Sequence, residues 1–80
     1  MGLTMRDWLD RYASELGLEP MSDEEIEDLL ALAGTAAHAS ERTAAPISCF
    51  LVGRAGVSAG EALAIAKRLA APYESGPSAG

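Results

Sequence analysis

The apolar residues of this 80-residue chain are mostly small, and this limits what the chain can fold into. Apolar residues make up 49% of the sequence, but aromatic residues make up only 5%, and alanine alone occurs 16 times. A chain of this length buries only about 60–65% of the surface that its unfolded form exposes, so a core built largely from alanine contributes little stability. We therefore expect one small domain with a thin core rather than a catalytic domain with its own regulator.

Four segments space their apolar residues by three and four positions, which is typical of amphipathic helices, and none alternates with the period of a strand. Thr4, Ser22 and Ser58 are suitable N-cap residues, and each of the two serines is followed three positions later by a glutamate that completes a capping box. The pattern predicts an all-α fold, a compact four-helix bundle or an orthogonal array, with helices near residues 4–16, 22–41, 46–55 and 58–71.

The same spacing predicts how the helices pack. We expect the third helix to be central, because apolar side chains cover nearly its whole circumference: Ile47, Cys49, Phe50, Leu51 and Val52. Trp8 and Tyr12 of the first helix are expected in the core, and Gly34 in the second helix suggests close approach of another helix backbone. Residues 1–73 are expected to form a single domain, and the tail 74–80, rich in Gly, Ser and Pro, to be disordered.

The charge is distributed unevenly along the chain. The net charge is −6, and residues 1–40 hold nine acids and two bases, whereas residues 41–80 hold three acids and four bases. This distribution argues against binding to nucleic acid or to an anionic membrane, which requires a basic surface. No apolar run approaches the roughly 18 residues of a membrane span, so we expect a cytoplasmic protein.

Metal, cofactor and disulfide chemistry has few candidate residues. Cys49 and His38 are the single cysteine and the single histidine, too few for a zinc site or an internal disulfide. The glycines have neither the preceding strand nor the lysine of a phosphate-binding loop, so we expect no cofactor. Cys49 lies among apolar neighbours and is expected to be a small buried residue; as a nucleophile it would need a lowered pKa. We therefore expect no catalytic residue.

His38, Arg42 and Pro46 form the one constellation with a candidate binding role. If the second helix extends to Arg42, the His38 and Arg42 side chains project from the same side, and an arginine fork with a titratable histidine suits a bound anion. Basic residues at a helix end also interact routinely with the last carbonyl groups and with the negative end of the helix dipole. Spacing alone favours this structural role, and both interpretations stay open.

Three stretches of the chain carry a resemblance to a known family: Asp7–Leu9, Glu15–Leu18 and Ala37–Gly53. The chain resembles a small uncharacterised bacterial helical domain, found alone or attached to the carboxyl terminus of molybdopterin-guanine dinucleotide biosynthesis protein A, the molybdenum cofactor guanylyltransferase. Thr43 stands where a proline often follows the arginine in that family, which implies a less rigid connection here. The resemblance implies an accessory role near a nucleotidyltransferase in molybdenum cofactor assembly, without guanylyl transfer by this chain. With the resemblance included, the structural interpretation and the binding interpretation of His38 and Arg42 have equal support.

Three functional hypotheses follow. The leading one is a non-enzymatic helical accessory or interaction module that docks on a larger partner, such as the guanylyltransferase, through His38, Arg42 and Pro46. The second is a small-ligand domain in which His38 and Arg42 hold a nucleotide, a phosphate or a pterin. The third is an enzyme that depends on Cys49. Because alanine-rich helix faces bury little area, a homodimer formed through Trp8, Leu32 or Val52 is also a hypothesis.

Overall fold

A computed structural model describes residues 2–73, which form four α-helices and a short 3₁₀ turn. The elements in chain order are α1 (Met5–Glu15), α2 (Asp23–Ala39), α3 (Ala44–Ala55), α4 (Ala59–Ala70) and the 3₁₀ turn Ala71–Tyr73. Residues 2–73 contain no strand, and the predicted all-α fold with four helices is confirmed. The tail expected at residues 74–80 lies outside the described residues.

Local capping interactions explain where the first two helices begin and why α1 ends. The hydroxyl of Thr4 accepts a hydrogen bond from the Asp7 backbone N–H at 3.0 Å. At Ser22 the capping box is complete, since its hydroxyl accepts from the Glu25 N–H and its own N–H donates to the Glu25 carboxylate, both at 3.0 Å. Gly17 ends α1 with a φ of 79°, a left-handed conformation that glycine adopts without strain. The predicted start and stop signals are therefore confirmed at these positions.

Helix α2 lies at the centre of the structure and packs against both α3 and α4. Helix α1 packs on the other helices much less and is joined to the start of α2 by one arginine. The Arg6 guanidinium donates to an Asp23 carboxylate oxygen at 2.9 Å and to the Met21 carbonyl at 2.6 Å, and its Nε lies 3.4 Å from Asp10 Oδ1. The fold is thus a packed α2–α3–α4 unit with α1 attached at one end of α2.

The connection between α2 and α3 differs from the sequence-based boundaries. Helix α2 ends at Ala39, two residues before the predicted end, because Ser40 adopts a non-helical conformation with φ −137° and ψ −103°. A turn follows, in which the Ala44 N–H donates to the Glu41 carbonyl at 2.9 Å and α3 begins. Pro46 therefore lies third in α3; it is still within the first turn, where backbone N–H groups have no intrahelical acceptor.

The buried core is thin, as the composition predicts. Four of its six residues are alanines, and the most buried is Leu32, which is 3% exposed. The six are Ala13, Ile26, Leu32, Ala59, Ala62 and Ala70. Alanine lets helix axes approach closely but removes little apolar surface from water, so this core contributes modestly to the free energy of folding.

Three packing predictions are wrong. Helix α3 is not central: it has no buried residue, and Ile47 and Phe50 are each 62% exposed, because α3 packs on α2 through its other side. Trp8 and Tyr12 are 55% and 51% exposed rather than in the core, because α1 presents that side to solvent. Gly34 has no close neighbour, since a Cβ added there meets no atom within 4 Å; the close contact is at Gly60, 3.3 Å from Asp28 Oδ2.

Candidate functional site

The structure places His38, Arg42 and Pro46 at the exposed connection between α2 and α3. His38 lies in the last turn of α2, Arg42 in the following turn and Pro46 in the first turn of α3. The binding hypothesis assumed that α2 extends to Arg42 and that both side chains project from one side of it. Because α2 ends at Ala39, His38 and Arg42 do not share a helical face. Within residues 2–73 neither side chain makes a hydrogen bond or an ion pair, so their donors are accessible.

An apolar groove runs between α2, α3 and α4. Its cavity volume is about 540 Å³, and its large lining residues are Leu32, Leu51, Val52, Ile65, Leu69 and Tyr73. Polar side chains in the lining are few, and the Thr35 hydroxyl is already donated to the Ala31 carbonyl at 2.9 Å. His38, Arg42 and Pro46 do not line the groove, although Ser40 and Ala44 beside them do. The groove therefore offers apolar contact area with little hydrogen-bonding specificity.

A second exposed apolar surface lies on α1. Met5, Trp8, Tyr12 and Leu16 fall within roughly 80° of one another around the helix axis, and each is about half exposed. The Trp8 and Tyr12 rings stack on each other, with centroids 5.6 Å apart and an angle of 14° between the ring planes. We call these four residues the α1 stripe. Large aromatic side chains that remain exposed on one side of a helix are typical of a contact surface.

A third exposed surface lies on the side of α3 that faces away from the groove. It consists of Pro46, Ile47, Phe50 and Arg54, all exposed and none lining the groove. The Arg54 guanidinium carbon is 5.8 Å from the centroid of the Phe50 ring, within the range of a cation–π interaction. We call these residues the α3 outer face. It combines an apolar centre with Arg54 in the last turn of α3, while Arg42 precedes the first turn of the same helix.

Cys49 lacks the environment of a catalytic thiol. It is half-buried in α3, and burial raises the pKa of its thiol above the ordinary value. A raised pKa lowers the fraction of thiolate at neutral pH, whereas a cysteine nucleophile needs that fraction increased. The environment of Cys49 therefore matches a small packing residue better than a nucleophile.

Comparison with known proteins places the chain in a family. A family model described as "Domain of unknown function (DUF6457)" matches residues 2–77. The chain belongs to this family. No curated protein and no solved structure matches it. The match covers the groove, the α1 stripe and the α3 outer face, so all three surfaces lie within this DUF6457 domain.

Sequence reasoning did not find the groove or the two exposed apolar surfaces of the DUF6457 domain. Periodicity identifies the residues that share one side of a helix, but whether another helix covers that side depends on contacts distant in sequence. A usable signal was present in α3, whose apolar residues cover nearly the whole circumference, because a domain of 80 residues has few helices with which to cover every side of each one. In residues 2–73, moreover, no helix has both the length and the apolar character that spanning a membrane requires.

Proposed function

We propose that this DUF6457 domain is a non-enzymatic helical interaction module that contacts a larger protein through the α3 outer face and the adjacent His38 and Arg42. The distribution of large apolar side chains carries the proposal. Within residues 2–73 thirteen of them are exposed, whereas Ile26 and Leu32 are the large apolar residues in the core. Exposed apolar surface on this scale is costly for a lone monomer and marks protein–protein contact sites.

The composition of the α3 outer face defines the kind of partner that suits it. Phe50 and Ile47 provide exposed apolar area, Arg54 places positive charge beside the Phe50 ring, and Arg42 adds a second positive charge before the start of α3. Aromatic residues and arginines are enriched among the residues that dominate binding energy at interfaces. The proposed partner therefore presents an apolar pocket with an acidic edge.

The resemblance described above suggests the partner's identity. Its implied context is molybdenum cofactor synthesis, and the larger protein in that context is the guanylyltransferase. We propose that the module docks on this enzyme and leaves guanylyl transfer to it. The half-buried Cys49, whose raised pKa disfavours the thiolate, supports a role without catalysis by this chain.

Binding of the purified domain to a purified molybdenum cofactor guanylyltransferase, measured by isothermal titration calorimetry, tests the proposal. Phe50→Ala is expected to weaken binding at least tenfold, about 1.4 kcal/mol, because it removes the central apolar contact. Leu30→Ala is the matched control: Leu30 is exposed on α2 outside the groove, the α1 stripe and the α3 outer face, and the variant is expected to bind within twofold of the original chain. Absence of binding, or equal loss in both variants, contradicts the proposal.

A second candidate function is binding of a small anionic ligand, a nucleotide, a phosphate or a pterin, by His38 and Arg42. The observation in its favour is that both side chains are exposed and unengaged within residues 2–73, so their donors are accessible to a ligand.

Nuclear magnetic resonance titration with GMP, inorganic phosphate and a soluble pterin tests this second function. A saturable shift of the His38 ring signals is expected, and Arg42→Gln is expected to abolish it while Arg68→Gln, a change of equal charge on α4, leaves it intact. No shift with any of the three compounds rules out this second function.

A further inference from the structure

We propose that the groove is filled by a second copy of this chain, with the α1 stripe of each copy docked in the groove of the other. The proposal rests on the proposed function, because it names one partner of the interaction module. It uses two surfaces that the proposed contact with a larger protein does not need, since none of the residues of the α3 outer face lines the groove. His38, Arg42 and Pro46 also lie outside the groove lining.

The groove and the α1 stripe match in chemistry. Three helices form the groove, and its lining is almost entirely apolar, which is the setting in which an amphipathic helix docks. The α1 stripe presents four large apolar side chains spaced by three and four residues, which is the spacing of anchors in a helix bound in a groove. Trp8 and Tyr12 add large contact areas at the centre of the stripe.

The chain's own α1 does not occupy its own groove. Arg6 holds α1 at Asp23 and Met21, at the start of α2. On α2 the groove lining begins at Leu32, nine residues further and thus about 14 Å along the helix. No residue of α1 is among the lining residues. Among residues 2–73, nothing therefore covers the stripe or the groove, and both are open to a neighbouring molecule.

The charges of the two surfaces are complementary. Helix α1 carries three acids and two bases, a net charge of −1. The part of α2 that lines the groove, from Leu32 to the end of the helix, carries no acid, and α4 carries one acid and two bases, a net charge of +1. Docking α1 of one copy against α4 of another therefore brings opposite net charges together, which favours this orientation over α1 against α1.

The contact area reaches the lower end of the range for specific dimers. Four large apolar side chains that are about half exposed offer roughly 400 Å² on the helix, and the facing groove offers about half as much, so two symmetry-related contacts bury about 1,200 Å². That value is the lower limit of the standard size of a specific protein–protein interface. A two-fold dimer also closes on itself, so both stripes and both grooves are covered without further copies.

Sedimentation velocity of the full chain at high micromolar concentration is the first test. The original chain is expected to be a dimer, and two variants are expected to be monomers: Leu51→Glu in the groove and the double variant Trp8→Gln, Tyr12→Gln in the stripe. Leu30→Glu is the matched control, because Leu30 and Leu51 are 57% and 56% exposed and Leu30 lies outside both surfaces; this variant is expected to remain a dimer. Circular dichroism verifies that each variant keeps its helical content.

Mixing the two monomeric variants tests the specific pairing. The Leu51→Glu chain retains an intact stripe and the double variant retains an intact groove, so their mixture is expected to form a heterodimer through one stripe–groove contact. Because this heterodimer buries half the area, it is expected to be weaker than the original dimer and is sought at the highest concentration at which each variant alone stays monomeric. A dimer held by stripe against stripe or by groove against groove gives no heterodimer in the mixture, and that result overturns the proposal. An original chain that stays monomeric also overturns it. A monomeric chain that still binds the guanylyltransferase in a Phe50-dependent manner overturns this inference alone. A dimer that does not bind the enzyme overturns the proposed contact with the larger protein alone.

Discussion

Helices α3 and α4 have the same length of 12 residues and both pack on α2, yet they use their apolar residues differently. Helix α4 buries Ala59, Ala62 and Ala70, whereas α3 buries no residue. In both helices most of the larger side chains are exposed, among them Phe50 and Leu69. The comparison shows that small residues form most of the interior contacts of this domain, because alanine allows close approach of helix axes, and that most of the large residues remain on the surface.

The largest expected effect compares two leucines two positions apart on α2. Leu32→Ala is expected to lower the free energy of unfolding by about 2–5 kcal/mol, because Leu32 is the most buried residue and its truncation leaves a cavity. Leu30→Ala is expected to change it by less than about 0.5 kcal/mol, because Leu30 is exposed. Urea denaturation followed by circular dichroism measures both.

The milder Leu32→Val change keeps this comparison measurable if the alanine variant does not fold, with an expected loss of about 1 kcal/mol. Equal losses in the free energy of unfolding for the Leu30 and Leu32 variants would contradict the conclusion that the buried side of α2 stabilises the domain.

A second comparison tests whether small residues are required at the α2–α4 contact. Ala59→Leu is expected to destabilise the domain by about 1–3 kcal/mol, because Ala59 is buried away from the groove and three additional carbons must displace its neighbours. Ala64→Leu, on the exposed side of the same helix, is expected to lie within about 0.5 kcal/mol of the original chain. Thermal unfolding of both variants provides the measurement, and a more stable Ala59→Leu chain would mean that the contact has room for larger residues.

A third comparison concerns the N-cap residues of α2 and α3. Ser22→Ala is expected to cost about 1 kcal/mol, because it removes the hydroxyl of a complete capping box at the start of α2. Thr43→Ala is expected to cost little, since the Thr43 side chain makes no capping hydrogen bond at the start of α3. Urea midpoints of the two variants measure the difference, and similar shifts would contradict the assigned roles.

The smallest expected effect compares two helical glycines. Gly34→Ala is expected to stabilise the domain by about 0.5–1 kcal/mol, because alanine favours the helix and nothing lies within 4 Å of the added methyl group. Gly60→Ala is expected to gain less, because its methyl group would lie 3.3 Å from Asp28 Oδ2. Melting temperatures of the two variants check the order, and a larger gain at Gly60 would show that Asp28 moves away freely.

Local interactions made much of this fold predictable from sequence. Thr4 and Ser22 mark helix starts because each accepts a hydrogen bond from the backbone three residues later, and Gly17 marks an end because it adopts a positive φ. The start of α3 was predicted two residues late, at Pro46, because no side chain caps that helix.

Placement of the helices was less predictable, because it depends on contacts between residues far apart in sequence. Leu32 lies about 120° around the helix axis from the buried Ile26 and is nevertheless the most buried residue, since α2 is contacted by helices on more than one side. The candidate site shows the same limit. His38 and Arg42 were expected to share one helical face, but Ser40 leaves the helical conformation without a glycine to signal it.

Fluorescence of Trp8 on dilution tests most directly whether the exposed large side chains mediate association between copies of the chain. Trp8 is the only tryptophan of the chain and belongs to the α1 stripe, where it is about half exposed in a single copy. The proposed dimer buries Trp8 in a groove, so its emission is expected to lie at short wavelength at high micromolar concentration and to shift to longer wavelength on dilution, with a midpoint that matches sedimentation. In the Leu51→Glu variant the emission is expected at long wavelength throughout. An emission maximum of the original chain that does not change with concentration and equals that of Leu51→Glu would contradict the account.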